Sequence, residues 1–279
     1  MTAAAPARAD RGADSVLAKV RLILEAFTLD DPDLSLAELS RRAALPKATV
    51  HRLCQDLSAW GALERTGGGY RLGLRLFELG QRVPRQRALR DAALPYLEDL
   101  VEITRETVHC AVLDSGEVLY IDKLSGHREV ARPSRVAGRM PASCTATGKA
   151  LLAWSAAPVV EAVIRRGLPR RTPYSITSPR RLWAELERVR DDGVAVEREE
   201  TRLGHLSVAA PVFGMHDLLA GAISVTAPTS RAVVSRLAPA VRASAAAAGR
   251  RLRAVVDADE AGTRPADRTV PLREPACRC

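Results

Sequence analysis

Residues 35–65 read SLAELSRRAALPKATVHRLCQDLSAWGALER, and this stretch decides the fold of the N-terminal part of the chain. Ser35, followed three residues later by Glu38, forms a capping-box pattern, which marks the start of a helix. Leu45 and Pro46 then interrupt the helical spacing, and proline is well tolerated in the first turn of a new helix. The stretch therefore predicts two short helices around a tight turn, followed by a strand, which is the layout of a helix-turn-helix.

The second predicted helix begins at Pro46 and has two different faces. Its apolar residues recur at three- and four-residue spacing and are expected to face a core. These residues are Val50, Leu53, Cys54, Leu57 and Trp60. The outward residues, which suit phosphates and base edges, are Lys47, Thr49, His51, Arg52 and Gln55. This pattern predicts a helix that reads DNA.

A short hairpin is predicted directly after the second helix. Gly61 ends the helix, residues 62–65 and 70–72 have strand character, and glycines occupy residues 67–69 at the tip. Such a tip can approach a phosphate or a minor groove closely, as a wing does, and the alternative is an ordinary surface hairpin. The DNA contacts expected from helix and hairpin together are Ser35, Lys47, Thr49, Val50, His51, Arg52, Arg65, Gly68 and Arg71.

The distribution of charge favours a nucleic-acid partner more than its total does. The formal net charge of +9 is a weak argument by itself, because a positively charged surface often serves only to keep a protein in solution. Residues 39–76, however, carry seven basic and two acidic residues, a net charge of +5, whereas residues 1–38 carry a net charge of −3. The positive charge thus lies where a duplex would dock, with a solvated basic face as the alternative.

The length of 279 residues suits two domains. After the helix-turn-helix, helical spacing and strand-like runs alternate, which indicates a second, α+β domain. The predicted order is a disordered tail (1–14), a winged helix-turn-helix domain (15–73), a linker helix (74–93), an α+β domain (94–256) and a second disordered tail (257–279). Strands of the second domain are predicted at 107–113, 118–123, 194–197, 206–213 and 219–225, and helices at 148–155, 158–166, 180–192 and 231–256.

Several classes of protein and site are not expected. No apolar run approaches the roughly 20 residues that span a bilayer, and residues 1–14 lack the apolar segment of a secretory signal, so a cytoplasmic protein is predicted. The five cysteines are odd in number and scattered, which argues against a disulfide framework. Cys277 and Cys279 have no further ligands at zinc-finger spacing, so neither a metal nor a cofactor is predicted.

Five separated blocks of the sequence resemble the IclR family of bacterial transcriptional regulators. They are LPKATVHRLCQDLSAWGALER, YRLGLRLFELG, PASCTATGKALLAW, GVAVEREETRLGHLSVAAPVF and GAISVTAPTSR, and the resemblance extends from about Ser15 to Val256. It implies an N-terminal winged helix, a linker helix and a C-terminal GAF-like domain that binds a small effector. It also implies homodimers or dimers of dimers that read partly palindromic operators.

The loop before residue 150 is a candidate anion site. Residues 143–149 read SCTATGK and precede an apolar helix, whose N-terminal amides attract carboxylates. The run is not a nucleotide P-loop, because Ser143 and Ala150 stand where that motif needs Gly and Ser or Thr. The resemblance implies that this loop lines an effector pocket, and the helix N-terminus favours an anionic effector, an organic acid. The residues assigned to this pocket are Cys144, Ala146, Thr147, Gly148, Glu197, His205, Ser207, Ser224 and Thr226.

These residues also allow other interpretations. Glu197 could be a solvated carboxylate, Ser224 and Thr226 could reflect alternation along a half-exposed strand, and His205 could be a structural histidine. A second domain that serves only in assembly is another alternative. An enzyme would need Cys144 as nucleophile with His205 or His109 as base and Glu197 or Asp122 to orient it, but spacing does not bring them together. The prediction is an effector-controlled, DNA-binding regulator with no catalytic residues.

Overall fold

The computed structural model describes residues 15–126 and 134–263. Its contacts divide the chain into two compact units, with the division between Pro84 and Arg85. The predicted tail at residues 1–14 and most of the one at 257–279, including Cys277 and Cys279, lie outside the described residues. Among the described helices, none combines the length and the apolar character needed to cross a bilayer.

The first unit is a small helical domain with a three-stranded antiparallel sheet. Its elements are α1 (Val16–Glu25), β1 (Asp33–Leu34), α2 (Leu36–Ala43), α3 (Lys47–Trp60), β2 (Leu63–Arg65), β3 (Tyr70–Leu72) and α4 (Leu74–Gly80). The strand order is β1-β3-β2, so the wing hairpin gains a third strand from the segment before α2. That strand, β1, is only two residues long and was not predicted.

The helix ends of the first unit follow local chemistry. The Ser35 hydroxyl accepts the Glu38 N–H at 3.2 Å and caps α2, while Ala44 ends α2 in the left-handed region at φ 52°. Pro46 occupies the N-cap of α3, and Gly61 ends that helix at φ 82°. The turn of the helix-turn-helix therefore lies at residues 44–46. The capping box is only half formed, because the Glu38 carboxylate binds two arginines instead of the Ser35 amide.

Most of the predicted apolar face of α3 is buried, but its last residue is not. Val50, Leu53, Cys54 and Leu57 pack in the core of the first unit. The prediction for Trp60 was wrong, since its side chain is 51% exposed. The chain reverses at the glycine cap that follows, and the next residues, Ala62 and Leu63, fill the core at this end.

The predicted linker helix is divided in the structure. α4 ends at Gly80, and α5 (Pro84–Thr104) begins after three intervening residues and continues without interruption past residue 93. Proline is well suited to the first turn of a helix because its missing N–H would have no helical partner there. The sequence pattern was continuous across this gap, so helical spacing alone did not reveal it.

The second unit is a three-layer α+β fold around a six-stranded antiparallel sheet. After α5 come β4 (Thr107–Asp114), β5 (Glu117–Leu124), β6 (Arg139–Pro141), α6 (Ala146–Ala153), α7 (Ala157–Arg165), α8 (Pro179–Asp192), β7 (Ala195–Arg198), β8 (His205–Phe213), β9 (Leu219–Pro228) and α9 (Val234–Thr263). The strand order is β6-β5-β4-β9-β8-β7. α9 extends seven residues into the segment that was predicted to be disordered from residue 257.

Alternation along the strands gives the sheet two differently packed faces. One face packs against α5 and α9 through residues such as Val108, Val208 and Val225. The other packs against α6 and α8, and there the central strands contribute small residues, Ala111 and Ala209 among them. The cavity described below lies on this side of the sheet, where Thr107, Ser207 and Thr226 belong to its lining.

Candidate functional site

The outward face of α3 has the composition expected of a DNA-reading helix. Lys47, His51 and Arg52 are exposed, and Thr49 is half-buried between them and the core. Val50, which was also predicted as a DNA contact, is fully buried and packs in the core of the unit. That prediction was wrong because position 50 falls on the apolar face of the helix.

Part of the positive charge around α3 is neutralised inside the first unit. Glu38 accepts hydrogen bonds from the guanidinium groups of Arg41 and Arg42, and these bonds lower the pKa of Glu38 to about 2. Arg42 also pairs with Asp31 at 2.9 Å and donates to the Ala26 carbonyl. Both arginines are therefore engaged by groups of the first unit itself. The net charge of +5 overstates the positive charge that is available to a duplex.

Among the described residues, three cationic side chains of α3 and the wing hairpin are not held in this way, namely Lys47, Arg52 and Arg65. Arg52 approaches Asp56 on the same helix at 3.5 Å, and both side chains are largely exposed, so this pair is weak. Arg65 stacks over the Tyr70 ring at 5.9 Å. Within the described part of the chain, neither Lys47 nor Arg65 forms an ion pair with an acidic residue. Arrangements of this kind suit phosphate contacts.

The wing forms as predicted, but its residues have different environments. Arg71 lies opposite Glu64 in the hairpin and binds it at 2.8 Å, so this arginine is engaged within the wing. Gly68 stands in open space at the tip, whereas a Cβ on Gly69 would lie 2.1 Å from the Leu34 carbonyl oxygen. Gly68 is therefore available to a partner, and Gly69 allows β1 to pack against the hairpin.

The second unit contains a pocket between its sheet, the start of α6 and the loop that follows β7. Its empty volume is about 540 Å³, with the open space at the mouth included. Seven of the nine residues assigned to the effector line it: Ala146, Thr147, Glu197, His205, Ser207, Ser224 and Thr226. The lining also includes residues that were not predicted, namely Thr107, His109, Tyr120, Ser134, Met140, Thr145, Thr201 and Arg202.

Cys144 and Gly148 do not line the pocket. The Cys144 thiol is buried and points to the Pro141 carbonyl at 3.9 Å. A Cβ on Gly148 would lie 2.2 Å from the Ala142 carbonyl oxygen, so this glycine permits close backbone packing. Its N–H donates to the Thr145 hydroxyl, which caps α6. These two residues shape the pocket from behind, and the free amides predicted at this helix start are partly used by the cap.

Glu197 organises one wall of the pocket. Its side chain is 1% exposed, so the solvated alternative for this residue was wrong. Oε1 accepts the N–H groups of Glu200 (2.6 Å) and Thr201 (3.0 Å) and the Thr201 hydroxyl (3.2 Å), and Oε2 accepts the Ser207 hydroxyl at 3.0 Å. Burial raises the pKa of Glu197, and these hydrogen bonds act in the opposite direction.

His109 is an uncharged element of the wall. The ring is buried, lies with its centroid 4.8 Å from that of the Tyr120 ring at a tilt of 42°, and shares a hydrogen bond with the Ser134 hydroxyl through Nε2 at 2.7 Å. Burial, with a smaller contribution from Lys123, lowers the pKa of His109 to about 3. The imidazole is therefore neutral at physiological pH and offers one donor and one acceptor.

Known protein families match both units of the chain. The description "IclR helix-turn-helix domain" matches residues 16–67, and "Bacterial transcriptional regulator IclR C-terminal" matches residues 81–252. The chain belongs to the IclR family. It is a DNA-binding transcriptional regulator, and the predicted fold class, a winged helix-turn-helix joined to an α+β domain, is confirmed.

Individual IclR-family proteins are similar along most of their length. The transcriptional regulator KdgR of Escherichia coli is 33% identical over 82% of this chain and 88% of its own, and XynR of the same organism is 32% identical over 77% and 87%. The crystal structure of an IclR homolog from Microbacterium hydrocarbonoxydans, complexed with 4-hydroxybenzoate, has a TM-score of 0.81. It is 34% identical and covers 86% of this chain and 100% of its own.

The enzyme alternative fails in this IclR-family chain. Burial raises the pKa of the Cys144 thiol to about 12, the reverse of the lowered pKa that a nucleophile at a helix N-terminus would need. The relatives are regulators, not enzymes. Among the described residues, no group of three or more His, Cys, Asp or Glu side chains could hold a metal ion.

A buried lysine fixes the loop beside the pocket. The Lys149 ammonium group donates to Glu185 at 3.0 Å, to the Val196 carbonyl at 2.5 Å and to Glu200 at 2.6 Å, and its side chain is fully buried. All three of its donors are satisfied, as a buried charge requires. No local pattern predicts this role for Lys149, because its partners lie 36 to 51 residues away in the chain.

The same loop is held from outside by two hydroxyl groups. The Thr172 hydroxyl donates to the Glu199 carbonyl and the Ser175 hydroxyl to the Glu200 carbonyl, each at 2.6 Å. Glu199 adopts a left-handed conformation, with φ 56°, which a residue with a Cβ rarely takes unless its surroundings enforce it. Residues 199–204, the pocket loop, thus have a shape imposed by their neighbours.

Proposed function

We propose that this IclR-family regulator binds operator DNA as a homodimer, and that a small organic acid in the pocket of the second unit controls that binding. The observation that carries the proposal is the pocket itself, whose walls contain most of the side chains that the family resemblance assigns to an effector. The related structure from Microbacterium hydrocarbonoxydans, which is complexed with an aromatic hydroxy acid, supports the same kind of ligand.

The exposed face of α3 supports the DNA-binding part of the proposal. In a dimer, two α3 helices would enter successive major grooves, and the half-sites would be separated by about one helical turn or a multiple of it. Lys47, His51, Arg52 and Thr49 would contact bases or phosphates, and Arg65 and the Gly68 tip would contact the backbone. Such a protein would act in the cytoplasm, where the chromosome of a bacterium lies.

The acid would act by preferring one arrangement of the dimer. A ligand shifts an equilibrium only by the difference between its affinities for the two states. The pocket loop packs directly against the ligand space through Thr201 and Arg202. Its enforced shape makes it a suitable element to differ between the occupied and the empty state.

The DNA-binding part is tested on the DNA that adjoins the gene. Binding is measured by fluorescence anisotropy over a series of salt concentrations, for the parent, Arg52→Ala and the Lys47→Ala/Arg52→Ala double variant. A base contact by Arg52 would make its loss cost about 1 to 3 kcal/mol, whereas a phosphate contact would reduce the salt slope by about one. Arg250→Ala, an exposed arginine on α9, is the control.

Two outcomes would count against the proposal. Unchanged operator affinity of the double variant at physiological salt would exclude α3 as the reading helix. If operator binding by the parent does not respond to organic acids that bind the protein, the second unit serves in assembly and not in sensing.

A further inference from the structure

A row of polar side chains crosses four strands of the sheet on the pocket side. Glu197 on β7 lies opposite Ser207 on β8, Ser207 lies opposite Thr226 on β9, and Thr226 lies opposite Thr107 on β4. Directly opposite residues of antiparallel strands have their side chains on the same face and within contact distance. All four residues line the pocket.

The hydrogen bonds of this row have a direction. Glu197 accepts the proton of the Ser207 hydroxyl at 3.0 Å, and a hydroxyl group has only one proton to donate. The 3.0 Å contact between the Ser207 and Thr226 hydroxyls must then use the proton of Thr226. As a result, Thr226 Oγ1 has no proton left for a ligand and presents only acceptor lone pairs to the pocket.

The far end of the row has unused hydrogen-bonding capacity. Thr107 Oγ1 and His109 Nδ1 are buried, and neither has a hydrogen-bond partner among residues 15–126 and 134–263. Both residues line the pocket, and His109 lies opposite Ser224, two positions along from the Thr107–Thr226 pair. Buried polar atoms are nearly always paired in folded proteins, so these two atoms point to a polar ligand group at this end of the pocket, beside the acceptor lone pairs of Thr226.

We propose that the acid bound in this pocket carries a hydroxyl group, which donates a hydrogen bond to Thr226 Oγ1 and accepts one from the Thr107 hydroxyl. This inference rests on the proposed function and specifies its ligand. A carboxylate does not suit this end of the pocket, because it would offer no proton to the acceptor lone pairs of Thr226. The carboxylate of the ligand lies instead toward His205 and Arg202, the more exposed part of the lining.

The inference is tested with pairs of acids in which one member carries a hydroxyl proton and the other carries none at that position. Isothermal titration calorimetry on the full chain compares 4-hydroxybenzoate with 4-methoxybenzoate, and lactate with propionate. We expect at least one hydroxy acid to bind, and to bind about tenfold or more tightly than its partner, because the partner leaves a buried acceptor unpaired. Thr226→Val should abolish that preference, whereas Thr226→Ser, which keeps the hydroxyl, should retain it.

A second variant tests the direction of the hydrogen bonds along the row. Ser207→Ala removes the acceptor that holds the Thr226 proton, so Thr226 becomes free to donate to a ligand. The variant should gain affinity for 4-methoxybenzoate relative to 4-hydroxybenzoate, a change that a merely structural loss would not produce. Thr229→Val, an exposed threonine just beyond β9, is the matched control and should bind like the parent.

The outcomes separate this inference from the function on which it rests. Equal binding of hydroxy and hydroxyl-free acids, or a preference that survives Thr226→Val, would overturn the inference and leave an acid-responsive regulator. If none of the four acids binds at millimolar concentration and operator binding is unaffected by them, the effector part of the proposed function fails, and the inference fails with it.

Discussion

The His109 ring is neutral because it is buried, whereas an exposed histidine titrates near neutral pH. Burial lowers its pKa to about 3, while an unfolded chain has a histidine pKa of about 6.5. Between these two values the unfolded state binds a proton that the folded state does not. The contribution of His109 to stability is therefore lost as the pH falls below about 6.5.

This sign gives a prediction for acid stability. From pH 7 to pH 5, His109 should cost the second unit about 2 kcal/mol of unfolding free energy, and His109→Gln should show that much less pH dependence. Urea unfolding at the two pH values measures the difference. Burial raises the pKa of Glu197 and Glu200, which acts in the opposite sense, but both residues are present in parent and variant.

A control separates His109 from histidine loss in general. His51→Gln removes an exposed histidine from the first unit and should leave the pH dependence of the second unit unchanged. Parallel behaviour of His109→Gln and the parent between pH 7 and pH 5 would show that the ring is not buried as described.

At the scale of residues, the spacing of apolar residues along a correctly predicted helix separated most of its buried side chains from its exposed ones. The spacing separated Lys47, His51 and Arg52 from the core residues of α3, and it failed at Trp60, where a glycine cap changes the direction of the chain. Thr107 escaped prediction because its place in the pocket depends on pairing with Thr226, 119 residues later in the chain. No local pattern contains that information.

At the scale of elements, the wing hairpin gives a matched pair of glycines. Gly69→Ala would place a Cβ 2.1 Å from the Leu34 carbonyl oxygen, so β1 must separate from β3. We expect a loss of about 2 kcal/mol or more, in the range of overpacked sites. Gly68→Ala meets no atom within 4 Å and should leave the stability within about 0.5 kcal/mol of the parent.

Thermal unfolding of the first unit measures both variants, and operator binding separates their effects further. Gly68→Ala should fold normally, so any loss of DNA affinity would come from the tip of the wing. Equal stabilities of Gly68→Ala and Gly69→Ala would contradict the packing of β1 against the hairpin.

The elements themselves were largely predictable, and their junctions were not. Both helices of the helix-turn-helix, the hairpin and the longer strands of the second unit were predicted close to their observed positions. The break between α4 and α5 was missed because helical spacing continues on both sides of it. β6 was missed because three residues cannot show an alternation.

At the scale of the whole molecule, the first unit leaves large apolar side chains exposed. Trp60 and Leu74 line one shallow groove, and Phe77 follows Leu74 one helical turn along α4. All three are more than half exposed. Folded domains rarely leave neighbouring side chains of this size uncovered, and the proposed homodimer would bury them.

The prediction at this scale concerns assembly. Leu74→Ser/Phe77→Ser should weaken dimerisation by at least about tenfold, since each large side chain contributes about 1.5 to 3 kcal/mol when fully buried. Sedimentation velocity over a range of concentrations measures the effect. Leu218→Ser, which alters an equally exposed leucine in the second unit, is the control. A parent protein that sediments as a monomer, or a double variant that dimerises like the parent, would contradict this assignment.

The buried Lys149 has a consequence for anyone who wishes to change the ligand specificity proposed for this pocket. The pocket loop owes its shape to contacts from Lys149, Thr172 and Ser175 behind it and from Glu197 beside it. Met140 and Ser224, which line the pocket on other elements, are therefore better positions to randomise than the loop itself. A library at these two positions, with the four supporting residues left untouched, is a practical starting point for building a transcriptional biosensor with a new specificity.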